Sequence, residues 1–108
     1  MDEAAPLSEE RVRAALREVI DPELGYNIVD LGLVYGVGIE GSVVDVTMTM
    51  TTPGCPAQDY LVSGVEYRLA EEAGVTGVFV SVVWVPAWSP QRMSADAKAH
   101  FRIREEDA

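Results

Sequence analysis

An α+β fold, a small three-stranded mixed sheet with helices packed on one face, is predicted by three stretches of this 108-residue sequence. Across residues 43–50, Val44, Val46, Met48 and Met50 alternate with Asp45, Thr47 and Thr49, the period of a half-buried strand. Soon afterwards Leu61, Val65 and Leu69 fall at i, i+4 and i+8, with Val62, Ala70 and Ala73 alongside, which is a helical stripe. Residues 78–85 are β-branched and aromatic and read as a third, more central strand. Two strands flanking a helix predict a right-handed crossover, with the third strand parallel to the second.

The remaining elements follow in order. Ser8 caps a helix that opens at Glu9 and Glu10, whose charges suit its N-terminus. Val12, Leu16, Val19 and Ile20 form its buried stripe, with Arg11, Arg13 and Arg17 on the wet side. Asp21-Pro22 is expected to end it, because a residue before proline is pushed out of the α region. Residues 21–35 carry glycines and acids among apolar residues, a structured loop feeding a strand over 34–39. Glu40-Gly41-Ser42 is a turn that pairs this strand with 43–50. Gly74 is expected at the C-cap of the second helix. Prolines in Trp84-Val85-Pro86-Ala87-Trp88-Ser89-Pro90 cannot continue a ladder, so the chain leaves the sheet there. Ser94 opens a last helix over 95–103, with Ala97 and Phe101 at i and i+4.

Length predicts one domain over residues 1–108, with acidic tails at about 1–7 and 104–108 frayed and solvated. A net charge of -10 argues against a phosphate-binding surface, and so against nucleic acid as a partner. One cysteine makes no internal disulfide and implies no oxidising compartment. No apolar run spans a bilayer and the N-terminus is acidic, so cytoplasm without membrane attachment is the simplest expectation.

That cysteine lies in Thr51-Thr52-Pro53-Gly54-Cys55-Pro56, between the second strand and the second helix. Gly54 allows a tight turn, and Pro56 suits the first turn of a helix. Cys55 is then expected at or beside the N-cap, where unpaired N–H groups favour a thiolate. A buried structural thiol is the plainer alternative, but a Gly-Cys-Pro turn is poor core material. The residues alone leave metal or cluster ligation, persulfide carriage and redox chemistry open. Asp59, one turn on, is the acid best placed to approach the sulfur. Asp21, Glu23 and Asp30 read first as caps, turn formers or solvated groups, and His100 as a surface imidazole. Met48 and Met50 are expected in the core. Trp84 fits an inward strand position, while Trp88, between prolines, shields the cysteine loop or forms a partner surface. Zinc-ligand spacing, a phosphate-binding glycine loop and a Ser/His/Asp pattern are all absent from the sequence.

Four ordered motifs, taken together, are similar to the SufT/PaaD-type family of metal–sulfur cluster biosynthesis proteins. They are Asp21-Pro22-Glu23; Asn27-Ile28-Val29-Asp30-Leu31-Gly32-Leu33-Val34-Tyr35; Thr52-Pro53-Gly54-Cys55-Pro56; and Val83-Trp84 with Trp88-Ser89-Pro90 and Met93-Ser94. The resemblance runs over about residues 12–101. It implies an iron–sulfur cluster assembly-like α+β domain and an accessory or transfer role in maturing iron–sulfur proteins. The family's functional cysteine falls on Cys55, and its first-motif acids on Asp21, Glu23 and Asp30. Val85 and Ala87 stand where family members often carry an acid and a second proline, which weakens the case for a carboxylate from this loop. The sequence has no cysteine-rich C-terminal extension of the PaaD type, so it resembles the stand-alone SufT type.

Clusters are normally held by about four cysteines, and one chain supplies one. Stable binding would require a homodimer contributing Cys55 twice, together with outside thiols or carboxylates. A transient cluster is therefore the expected cargo, with assembly proteins and client apoproteins as partners and no catalysis. Asp59, Glu23 or Asp30 would tune the thiolate or lend an oxygen. Two other readings compete: an adaptor docking clients through Trp84 and Trp88 without metal, and a thiol or persulfide transfer enzyme.

Overall fold

The computed structural model describes residues 7–51, 54 and 57–103. The tails expected to fray thus lie outside the described residues except for Leu7, which packs against the core. Helix α1 (Glu9–Leu16) begins where expected: the Ser8 hydroxyl accepts the Arg11 N–H at 3.2 Å, with Glu9 and Glu10 in the first turn. It buries Val12, Ala15 and Leu16.

The helix stops before the expected Asp21-Pro22 boundary, with Arg17 as its C-cap. Val19 is still buried, but Ile20 is exposed and begins a short ladder, β1 (Ile20–Asp21) with β2 (Tyr26–Asn27). The cause is local. The Asp21 carboxylate accepts the N–H groups of Glu23 at 2.7 Å and Leu24 at 3.1 Å, holding a turn that competes with helix.

Strand β3 (Val34–Glu40) pairs antiparallel with β4 (Val43–Met48), and β5 (Gly77–Val82) pairs parallel with β4, Val44 facing Val78 and Met48 facing Val82. The order β3-β4-β5 makes β4 the central strand. The third strand is therefore an edge, contrary to the expectation that it is the more central one. Its β-branched residues serve one face only: Val78, Val80 and Val82 pack against the core, while Phe79 and Ser81 are exposed.

Between β4 and β5 runs α2 (Gln58–Ala70), which lays Leu61, Val65 and Leu69 over the buried Val44, Val46 and Met48. Ile28, Leu31 and Leu33 from the loop after β2 complete the same core with Val12 and Leu16. Helix α2 closes on Glu71, with N–H groups of Glu71 and Glu72 returning to Arg68 and Leu69, so Gly74 lies beyond the C-cap rather than on it. After β5, a 3-10 turn (Pro90–Arg92) leads to α3 (Ala95–Phe101), whose cap Ser94 accepts the Ala97 N–H at 3.2 Å. This helix ends two residues short of the expected 103, at a left-handed Arg102 (φ 60°).

Candidate functional site

The cysteine loop joins the C-terminal end of the central strand to the N-terminus of α2, and its base is held from three sides. The Thr49 N–H donates to the Leu33 carbonyl at 2.8 Å, the Thr49 hydroxyl to the Val83 carbonyl at 2.6 Å, and the Val83 N–H to the Met48 carbonyl at 2.8 Å. Thr49 and Met50 are both buried, so the ends of β3, β4 and β5 converge under the loop. Sequence alternation places Thr49 outward. Its hydroxyl instead satisfies a carbonyl where the ladder ends, as a buried polar group must.

Above that base, Gly54 is exposed and holds a left-handed φ of 73°, with open space where a side chain would begin. Thr52, Pro53, Cys55 and Pro56 lie outside the described residues. The helix opens at Gln58 with buried Ala57 as N-cap, so Cys55 precedes the cap by two positions, and Pro56 comes just before it. Ala57 offers no side-chain oxygen to the first turn, leaving the positive end of α2 without a side-chain cap from that residue. Asp59 sits in that first turn, exposed.

Structural duties fall to two acids of the first motif. Asp21 is only 2 % exposed and holds the turn described above. Asp30 and Asn27 bind each other reciprocally: the Asn27 amide donates to Asp30 Oδ2 at 2.9 Å, and the Asp30 N–H donates to Asn27 Oδ1 at 2.8 Å. Arg17 approaches the same carboxylate at 3.8 Å. Glu23 is exposed. Among the described residues, no three His, Cys, Asp or Glu side chains converge as a metal-holding group.

The two tryptophans exchange their expected places. Trp84 follows β5 and is 39 % exposed rather than inward, beside Val85 at 84 %. The chain has left the ladder by then, so period-two alternation no longer sets its direction. Trp88 is half-buried, its Nε1–H donating to the Leu31 carbonyl at 2.8 Å. That bond clamps the loop after β5 onto the turn at 28–32 and occupies the indole N–H, while part of the ring stays exposed. His100 is exposed, as expected, and lies against Tyr26 and Phe101 with ring centroids 5.0 and 4.7 Å away.

Away from the loop, Glu72 accepts from Arg11 at 2.9 Å and from Arg68 at 3.1 Å. The bond from Arg11 and then that from Arg68 hold its carboxyl below the usual carboxylate range.

Residues 9–82 match the family described as iron–sulfur cluster assembly protein. The chain is 42% identical over 96 residues to the Fe-S protein maturation auxiliary factor YitW of Bacillus subtilis, spanning 88% of this chain and 94% of that protein. It is 44% identical over 81 residues to the Fe-S protein maturation auxiliary factor SufT of Staphylococcus aureus, spanning 74% and 92%. A crystal structure of a domain of unknown function from Bacillus anthracis superposes with a TM-score of 0.83 at 47% identity, covering 89% of this chain and 92% of that one.

Proposed function

The chain belongs to the family of iron–sulfur cluster assembly proteins, and on that premise we propose that it is an accessory factor in iron–sulfur protein maturation that carries or hands over a cluster through Cys55. The observation that carries this reading is the position of the cysteine loop. It rises from a base fixed by Thr49 and leads into a helix whose N-cap, Ala57, contributes no side-chain oxygen. A thiolate next to such a helix end is favoured over a thiol. A rigid base beneath an exposed left-handed Gly54 suits a sulfur offered to another molecule.

The cluster is cargo in this reading. One thiolate is far short of the roughly four ligands that hold a cluster permanently, so the remaining ligands come from a second copy, from outside thiols or from the recipient. Incomplete ligation favours release. Asp59, on the first turn of α2, is the acid of this chain nearest in sequence to the thiolate and would lend charge or an oxygen. Asp21 and Asp30 act first through the fold, since one oxygen of each, Asp21 Oδ1 and Asp30 Oδ2, already holds backbone or amide N–H groups. Assembly proteins and client apoproteins are the partners, with the exposed Trp84 and Val85 as the contact at the same end of the sheet.

Replacing the native gene by a Cys55→Ala version and assaying iron–sulfur enzymes in cell extracts tests the reading. Loss of their activity, with normal levels of the apoproteins, is expected. Full activity with Cys55→Ala at normal abundance overturns it.

A further inference from the structure

Outside the cysteine loop, a cleft of about 520 Å³ between α1 and the loop after β5 is lined by Arg13, Gly32, Tyr35, Pro86 and Arg92 together with two valines, and by no acid. This is unusual for the chain. It carries 18 Asp and Glu against 8 Lys and Arg, and Arg11, Arg17 and Arg68 each have a carboxylate within 4 Å. Arg92 has no such partner among the described residues. Its guanidinium carbon instead lies 4.8 Å from the centroid of the Tyr35 ring.

The position of Arg92 is built rather than incidental. The Tyr35 hydroxyl donates to the Pro86 carbonyl at 2.8 Å, which fixes the ring beneath the guanidinium. The Arg92 backbone presses on Gly32, where a Cβ would meet its carbonyl oxygen at 2.3 Å. The neighbouring Ser94 N–H is tied to the Asp30 carbonyl at 2.8 Å. Arg13 supplies a second guanidinium, and among the described residues it pairs with Glu9, an i,i+4 pair on the open helix surface. Such exposed pairs are weak and exchange partners readily. Among the described residues Glu9 pairs with Arg13 and Asp30 with Arg17, and neither acid lines the cleft.

A fixed guanidinium without a carboxylate is a fork suited to a planar or tetrahedral oxyanion. We propose that this cleft binds a small anion through a carboxylate or phosphate group held between Arg92 and Arg13. The cleft adjoins the base of the cysteine loop. Val34, on the cleft wall, faces Met48, and Leu33 accepts the Thr49 N–H at the base of the cysteine loop.

Calorimetric titration of the full chain with inorganic phosphate, citrate and chloride at matched ionic strength tests the proposal. Saturable binding of phosphate or of citrate, but not of chloride, is expected. Preference for phosphate assigns a phosphorylated ligand, and preference for citrate a carboxylate one. Arg92→Gln should weaken binding about tenfold, and Arg92→Lys, which keeps charge but loses the fork, by less. Arg102→Gln, an equal change of net charge outside the cleft, should leave binding intact. If Arg92→Gln fails to fold, Arg13→Gln provides the same comparison. Absence of saturable binding by both oxyanions, or equal weakening by the cleft variant and Arg102→Gln, overturns the proposal.

Discussion

The Trp88 indole donates to the backbone carbonyl of Leu31 at 2.8 Å, across 57 residues of sequence. This bond locks two of the motifs that mark the family to each other. The loop after β5 is positioned against the turn at 28–32, and that turn in turn supports the end of β3 beside the cysteine loop.

Trp88→Phe should therefore lower stability by about 1 kcal/mol, the ordinary worth of one hydrogen bond, while keeping most of the packing. Trp88→Ala should cost about 3 kcal/mol or more. Urea denaturation followed by circular dichroism measures both. A Phe variant as stable as the parent would show that the bond contributes nothing. Because a Trp88 variant also loses the bond to Leu31, partner capture is better probed with Val85→Ser, whose side chain is exposed.

Gly32 and Gly54 both hold left-handed φ angles, 80° and 73°, but in different surroundings. An added Cβ at Gly32 would collide with the Arg92 carbonyl, whereas at Gly54 it would meet open space. Gly54→Ala should cost about 1–2 kcal/mol of backbone strain. Gly32→Ala should cost clearly more, since the backbone of the loop after β5 must also move. Equal melting temperatures for the two variants would contradict the close approach.

Ser8, Ser94 and the alternation of β4 are local signals, and the structure follows them. The parallel crossover followed from strand, helix, strand. Ile20 misled because it continues the i, i+4 stripe of α1, while the turn held by Asp21 acts over only a few residues. Which strand is central is decided by pairing, and period-two alternation carries no record of pairing. Likewise nothing near Trp88 announces a bond to Leu31, nor anything near Thr49 its bond to Val83, because both partners are remote in the chain. The cysteine loop was legible as a motif, but it placed the N-cap at or beside Cys55, whereas Ala57 is the N-cap and the helix opens at Gln58.

Asp21→Ala should destabilise the fold by about 1–3 kcal/mol, because two part-buried backbone N–H groups lose a charged acceptor. Asp21→Asn, which keeps a carbonyl oxygen in place, should cost less. Iron and sulfide bound per folded molecule should be the same for both as for the parent. A stable Asp21→Asn protein that takes up no iron would instead make this acid a ligand.

The Glu72 carboxyl is held below its usual range by Arg11 and Arg68. A carboxyl with a depressed folded value contributes stability that is fully present above its unfolded value, about 4.3, and is lost as pH falls through the lower folded value. Glu72→Gln should thus be less stable than the parent at pH 7, and the difference should shrink as pH drops below about 4. A difference that stays constant from neutral to acid pH would contradict the assignment.

In the proposed function Cys55 holds the cargo. Anaerobic reconstitution of the parent and of Cys55→Ala with ferrous iron and sulfide, followed by absorbance, iron and sulfide counts and light scattering, tests it most directly. A labile iron–sulfur chromophore is expected on the parent only, with Cys55→Ala folded but colourless. Equal iron and sulfide on both proteins, or none on either, would contradict it.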